Sequence, residues 1–307
     1  MADNSVQMDF KAKPACLPCV LQQVLQTARR VSDDDWFHTK VLKQAMQVLP
    51  DLDMDRSPAE ITFEVLQKIS KNLGSADPFA AGKADANRRM LDLLPELRGL
   101  LGRGKVRLVN AVKLAVAGNV MDPGIVNRID VREEIERVMS MDLAIDDTDD
   151  LSAALRSAKS VMYILDNAGE IAFDRLLIEE LKDRDVTAVV RAAPVLSDVT
   201  LEDAEMVGLT EIAEVIDPGA PMLGVVLSQA SESFVKAFEA ADVVVSKGQA
   251  NFETLAGSER DIFHILRVKC ECVAEYLGIR DGDAILYRRE PAQVKARSKS
   301  GRFRAIG

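Results

Sequence analysis

Apolar residues recur at three- and four-residue spacing through the first hundred positions, and no alternating stretch interrupts them, so the period predicts helices. Val20, Leu21, Val24, Leu25, Ala28 and Val31 form one stripe, and Leu91, Leu94, Leu97, Leu100 and Leu101 form another. Ser57-Pro58-Ala59-Glu60 reads as a capping box with proline at the first helical position, opening a helix through Phe63, Leu66 and Ile69. Asp77-Pro78 marks a break, and Gly102 with Gly104 a hinge. An all-helical subdomain over residues 1–104 is therefore expected.

From residue 160 onward the pattern changes to short apolar runs separated by helical stretches, the signature of buried parallel strands joined by crossover helices. Val161–Leu165, Val186–Val190, Ile212–Ile216, Val243–Val245 and Ala284–Tyr287 are the predicted strands. They imply an α/β domain over residues 105–290, an open and mostly parallel sheet flanked by helices. Residues 105–160 read as helix with a break at Gly118–Gly124. The run Asp146-Asp147-Thr148-Asp149-Asp150 is expected to be a solvated linker, since it lacks the glycine turn and spacing of a calcium loop. Phe263–Leu277 reads as a helix. Beyond Arg288 the chain carries Arg289, Lys295, Arg297, Lys299, Arg302 and Arg304 against the single acid Glu290, a basic tail (291–307) expected to be frayed and solvated.

The 307 residues are 48% hydrophobic and 29% charged, with a mean hydropathy of -0.01, a core-forming composition rather than a disordered one. No apolar run approaches the roughly 20 residues of a membrane span, and residues 1–15 contain no apolar leader core. Four cysteines are too few for a disulfide scaffold in a chain this long, which favours a reducing, cytoplasmic setting. The net charge of -10 disfavours general attraction to nucleic acid.

In open α/β sheets ligands bind beyond the carboxyl ends of the strands. Those positions hold Asp166-Asn167-Ala168-Gly169-Glu170 after the first strand, Ser197-Asp198-Val199-Thr200 after the second, and Ser246-Lys247-Gly248-Gln249-Ala250-Asn251 after the fourth. Asp166, Asn167 and Asp198 would supply two carboxylates and an amide oxygen to a hard divalent ion while leaving positions open. Asp166-Asn167 also suits turn and cap chemistry ahead of the next helix; the coincidence with Asp198, whose capping role Thr200 can fill, favours the metal. Lys247 beside Gly248 suits an anionic phosphate, although a surface lysine is the alternative. The Walker pattern is absent, so an ATP-driven P-loop mechanism is not indicated.

These runs, with Phe173-Asp174, Asp203-Ala204 and Phe252-Glu253, resemble the metal-dependent damage-control phosphatase family (acidic-residue-methyltransferase-like domain). The resemblance extends to Cys16-Leu17-Pro18-Cys19, Asp77-Pro78 with Lys83 and Asn87, Gly118-Asn119 with Asp122, and Lys269-Cys270, and is greatest to the prokaryotic branch with an N-terminal CxxC. It implies a helical subdomain on an α/β domain, one divalent ion (Mn, Co, Ni or Mg), and hydrolysis of small phosphorylated metabolites such as sugar phosphates. It further implies Asp166, Asn167 and Asp198 as metal ligands and Lys247 as a phosphate ligand. Asn119, Glu170 and Glu253 become further pocket residues, with Gly248 on the substrate side and Glu170 beside Asp166 and Lys247 in the chemistry. An S-adenosylmethionine-dependent protein carboxyl methyltransferase and a non-catalytic phosphometabolite-binding protein are the alternatives. No partner macromolecule and no oligomeric state are indicated.

Cys16 and Cys19 have metal-site spacing, but Cys270 and Cys272 would point apart on a helix, which argues against a four-thiolate zinc site. Cys16, Cys19 and Cys270 packed as thiols, or a Cys16–Cys19 redox pair, are expected instead. His38 and His264 lack ligand-spaced partners and read as ordinary core or surface histidines.

Overall fold

Ser57 and Glu60 do form the expected capping box: Glu60 N donates to Ser57 Oγ at 3.3 Å, and Ser57 N donates to Glu60 Oε2 at 3.0 Å. The structure, a computed structural model, describes residues 10–102, 104–118 and 131–289. The N-terminal segment is helical as expected, with α1 (Cys16–Val31), α2 (Asp35–Val48), α3 (Pro58–Leu73) and α4 (Ala80–Leu100). Asn119, Asp122 and the basic tail lie outside the described residues.

The remaining chain runs α5 (Lys105–Gly118), α6 (Val131–Ser140), β1 (Ile145–Asp146), α7 (Thr148–Ser157), β2 (Ser160–Ile164), α8 (Ile171–Glu179) and β3 (Asp185–Val189). It continues with α9 (Leu201–Met206), β4 (Glu214–Ile216), α10 (Glu232–Ala240), β5 (Val243–Lys247), α11 (Gln249–Leu255), β6 (Ile262–Arg267), α12 (Glu271–Leu277) and β7 (Ala284–Arg289). The seven strands form one sheet in the order β1-β7-β6-β5-β2-β3-β4. Every neighbouring pair is parallel except β6 with β7.

Side chains alternate across this sheet, as the pleat requires. Val161, Tyr163 and Val245 face a core shared with α4, α5 and α8, while Met162, Ile164 and Val244 face α10 and α11. Helices α1–α3 bury Val20, Val24, Ile61, Val65 and Ile69 in a cluster that also takes in Phe252, Leu266 and Val273, so they share their core with α11, β6 and α12. Met90, Leu94 and Leu97 of α4 belong to the opposite, α5–α8 side.

Three expectations are corrected. Phe263–Leu277 is not one helix: Ile262–Arg267 is a strand buried on both faces and Glu271–Leu277 a separate helix. A continuous apolar run imitates a helical stripe because burial on both faces erases the period. The acidic run is not a linker either; Ile145 and Asp146 pair with Ile285 and Leu286 of β7, and Thr148 begins α7 with its N–H on Asp146 Oδ1 at 3.1 Å. Finally, β5 runs past Val245 through Lys247, and β4 begins only at Glu214, after a turn at Leu209–Glu211.

From β2 the chain proceeds outward to β3 and β4 on one side and to β5 and β6 on the other. The winding direction therefore reverses between β2 and β5, which opens a crevice at their carboxyl ends.

Candidate metal centre at the strand ends

The loops after β2 and β3 are joined by main chain before any side chain is considered. Val199 N donates to Asp166 O at 2.9 Å, Ala168 N to Ser197 O at 2.9 Å, and Arg191 N to Val199 O at 2.8 Å. Asn167 and Asp198 thus form an isolated antiparallel bridge. Just ahead of it Leu196 adopts φ 49, a left-handed conformation costing a side-chain-bearing residue roughly 1–2 kcal/mol, which the flanking hydrogen bonds hold in place. Asp203 accepts from both Thr200 N and Thr200 Oγ1 at 2.9 Å, so the start of α9 is capped without Asp198.

At the other wall, Gly248 sits at φ 80, and a Cβ there would lie 1.8 Å from Asp166 Oδ2. Only glycine allows β5 to end against that carboxylate. Asn251 secures the same contact, donating through Nδ2 to Leu165 O at 2.9 Å and to Lys247 O at 2.7 Å. From α4, Asn87 Oδ1 accepts Gly169 N at 2.7 Å while its Nδ2 donates to Asp203 Oδ1 at 2.9 Å. Lys83 reaches Asp203 and Asp77, each at 3.1 Å. The helical segment therefore holds the turns that follow β2 and β3.

The structure brings Asp166, Asn167, Glu170, Asp198, Lys247 and Gly248 together. Asn167 Nδ2 donates to Asp166 Oδ2 at 2.7 Å and to Glu170 Oε2 at 3.3 Å, and Asn167 Oδ1 accepts from Ser197 Oγ at 2.8 Å. Burial, followed by the charges of Glu170 and Asp198, pushes the Asp166 carboxyl well above the usual range. Burial raises Asp198 as well, against the opposing pull of Arg191.

Lys247, expected to stand open as a phosphate ligand, has no exposed surface. Its Nζ donates to Glu170 Oε1 at 2.7 Å and to Asp174 Oδ1 at 2.6 Å. Tyr163 donates its hydroxyl to the same Asp174 oxygen at 2.7 Å. Burial raises Asp174 to about 6 even with Lys247 beside it. The reason for the difference lies in strand direction: as the last residue of β5, Lys247 shares the face of Val245 and points at α8 rather than into the loop.

Glu253 stands apart from this group. It accepts from Gln249 Nε2 at 2.9 Å, and burial pushes it up to about 7. Its charge is felt by the thiols of Cys16 and Cys270. Cys16 hydrogen-bonds Cys272 rather than Cys270, Cys270 Sγ accepts from Gln249 Nε2 at 3.3 Å, and Cys19 is exposed. Burial raises Cys16 to about 11, which leaves it a poor nucleophile.

Sequence reasoning gave no role at the site to four contributors, of which Asp174, Asn251 and Lys269 stood in the quoted motifs and Arg191 did not. Arg191 is buried and donates through Nε to Asp198 Oδ2 at 2.6 Å and through Nη2 to Asn251 Oδ1 at 3.1 Å. Asp174 lies one helical turn after Glu170, and that four-residue spacing was the available signal. Asn251 is the third residue of α11, turned back to the strand ends. Lys269, just past β6, is an exposed cation whose charge acts on Asp166.

Among the described residues, no three His, Cys, Asp or Glu side chains stand within joint reach of one ion. A donor set here therefore depends on the Asn167 amide as well as on Asp166 and Asp198. Its NH2 lies between two carboxylates; turning the amide over would bring Oδ1 there, an exchange that only a cation between the oxygens would favour. The charge of Glu170 opposes ionisation of the buried Asp166, and the glycine at 248 admits that carboxylate to the end of β5, so the residues fit an ion bound to oxygen.

Residues 12–285 match the damage-control phosphatase ARMT1-like domain. An uncharacterized protein of Methanocaldococcus jannaschii is 37% identical over 91% of this chain and 96% of its own length. A damage-control phosphatase of Archaeoglobus fulgidus is 34% identical over 90% and 98%. The crystal structure of a DUF89 family protein from Pyrococcus horikoshii superposes with a TM-score of 0.83 at 30% identity, covering 91% of this chain and 99% of that one. Over nearly its whole described length, then, this chain belongs to the damage-control phosphatase ARMT1-like family.

Proposed function

We propose that the protein is a metal-dependent phosphatase that hydrolyses small phosphorylated metabolites such as sugar phosphates, with one divalent ion on Asp166, Asn167 and Asp198. The observation that carries this reading is a charge imbalance. Four buried carboxylates, Asp166, Glu170, Asp174 and Asp198, surround two buried cations, Lys247 and Arg191. Buried charge without compensation is costly, and two surplus negative charges on hard oxygens match one ion such as manganese, cobalt, nickel or magnesium. The relatives named damage-control phosphatases support the phosphatase part of the reading.

When bound, such an ion would polarise a phosphoryl oxygen and offset charge as the ester bond opens. The protein's own residues do the rest. Asp166 and Asp198 hold the ion from adjacent strand ends, and Gly248, lacking a side chain, lets the Asp166 carboxylate lie against the end of β5. Lys247 fixes Glu170 through Oε1 and so holds Oε2 against the Asn167 amide, beside the proposed ion, where the carboxylate can accept a proton from attacking water once that amide turns over. Lys269 offers an exposed ammonium to the phosphate from the solvent side, and Lys247 reaches it only by exchanging one of its two carboxylates.

A phosphate-release assay over a panel of sugar phosphates, with and without chelator, tests the proposal. Release that a chelator stops and one of the four metals restores is the expected result. Chelator-insensitive release would sink the metal assignment. Methyl transfer from S-adenosylmethionine to protein carboxyls, or tight binding of phosphate esters without turnover, would replace the phosphatase reading.

A further inference from the structure

Asp198 meets the rest of the centre through a guanidinium that the sequence did not single out. Arg191 leaves β3 with its side chain fully buried and divides its donors between two loops: Nε to Asp198 Oδ2 at 2.6 Å, Nη2 to Asn251 Oδ1 at 3.1 Å. Asn251 passes the connection on, its Nδ2 bonded to Leu165 O at the end of β2 and to Lys247 O at the end of β5. One arginine and one asparagine thus tie together the carboxyl ends of three adjacent strands. Asp198 itself sits on a loop whose bend depends on Leu196 at φ 49, and among the described residues Arg191 is its only ion-pair partner.

We propose that Arg191 is a positioning residue for the metal: it clamps one oxygen of Asp198 and thereby presents the other to the ion, with Asn251 setting the guanidinium plane. This rests on the metal-dependent reading above. The physical reason for arginine is its planar fork, which bonds two acceptors in fixed directions, whereas a lysine ammonium supplies the same charge without that geometry. Partners one layer behind a metal's ligands fix ligand orientation, and their loss costs about 10- to 100-fold in metal affinity.

The test is Arg191→Lys, which keeps the charge and removes the fork. Manganese affinity of the full-length protein is measured by calorimetry without substrate, alongside thermal unfolding. The expected result is a folded protein whose Mn2+ affinity drops about 10- to 100-fold, with kcat recovering in excess Mn2+ and KM for the phosphate ester unchanged. A purely structural or purely electrostatic arginine would be rescued by lysine. Should Arg191→Lys melt below the working temperature, Arg191→Gln stands in, since it retains one donor for Asp198, and the same weakening is expected. Parental Mn2+ affinity in either folded variant overturns the positioning role while leaving the phosphatase reading intact. If the parent binds Mn2+ and releases no phosphate, that reading falls and the affinity comparison still decides the role of Arg191. If the parent binds none of Mn2+, Co2+, Ni2+ and Mg2+, both are overturned.

Discussion

The two faces of β5 treat buried polarity in opposite ways. On one, the Lys247 ammonium is held between Glu170 and Asp174, and Tyr163 adds its hydroxyl to Asp174. On the other, Ser246 Oγ and both ring nitrogens of its register neighbour His264 are buried with no hydrogen-bond partner among the described residues. The His264 ring instead packs edge-on to Phe252, with centroids 5.2 Å apart, and parallel to Tyr287 at 6.4 Å. Charge is thus retained where partners converge beneath the strand ends. A few ångströms away, across the sheet, Ser246 and His264 are groups that can stay neutral, and the buried cation on that face, Arg289, donates to Leu255 O at 3.1 Å. A buried ionic network adds little net stability over an apolar one, so its presence on only one face points to a task for that face.

The comparison is broken most severely by Lys247→Met. It would leave Glu170 and Asp174 without their cation, at a cost of about 3–5 kcal/mol in chemical denaturation, the usual penalty for stranding a buried charge. On the other face, Ser246→Ala should change stability by under about 1 kcal/mol, since no hydrogen bond is lost.

Gly248→Ala comes next. Its Cβ would overlap Asp166, so turnover should fall about 100- to 1000-fold, or roughly 3–4 kcal/mol in barrier, while the melting temperature changes less than in Lys247→Met. Steady-state kinetics beside calorimetry would show this, and parental turnover would mean that Asp166 is not where the chemistry happens.

A smaller effect sharpens the neutral face. Burial, with the charge of Arg289, pushes His264 down to about 3, while the unfolded chain titrates near 6.5. The unfolded state therefore takes up a proton that the folded state refuses. Stability supplied by neutral His264 is present above about pH 6.5 and is lost as pH falls toward 3, by roughly 2 kcal/mol between pH 7 and pH 5. Denaturant titrations of parent and His264→Leu at both pH values should show that this loss is absent from the variant.

The least effect is expected where neither face is touched. Replacing Cys16 and Cys19 together by serine should cost about 1 kcal/mol through the buried Cys16 and leave turnover within about twofold, because neither thiol reaches the strand-end group. Abolished turnover in a folded double variant would relocate the chemistry.

Much of the architecture was legible in residue order. Helical stripes and a capping box predicted α1, α3 and α4, and apolar runs predicted β2, β3, β5 and β7, because in each the buried positions repeat with the period of the backbone. β6 escaped, since burial on both faces leaves no period, and β1 escaped because an edge pairing of two residues leaves no pattern at all. Within the centre, Asp166, Asn167, Asp198 and Gly248 were found from strand ends alone, and the structure gathers them. Glu253, a further pocket residue by resemblance, accepts from Gln249 Nε2 near the thiols of Cys16 and Cys270. A resemblance assigns residues to a motif without saying which way each side chain points.

By itself the sequence determined the element types outside β1 and β6, the position of the acids at the carboxyl ends of strands, and the glycine at 248, all properties of local period and single-residue sterics. Tertiary structure decided what those residues face. It closed Lys247 between Glu170 and Asp174, brought Asn87 and Lys83 from a helix 80 or more positions away onto the turns at Gly169 and Asp203, and set Arg191 between Asp198 and Asn251. Side-chain partners of buried charges come from long-range packing and strand order, and neither is encoded in the spacing of any one segment.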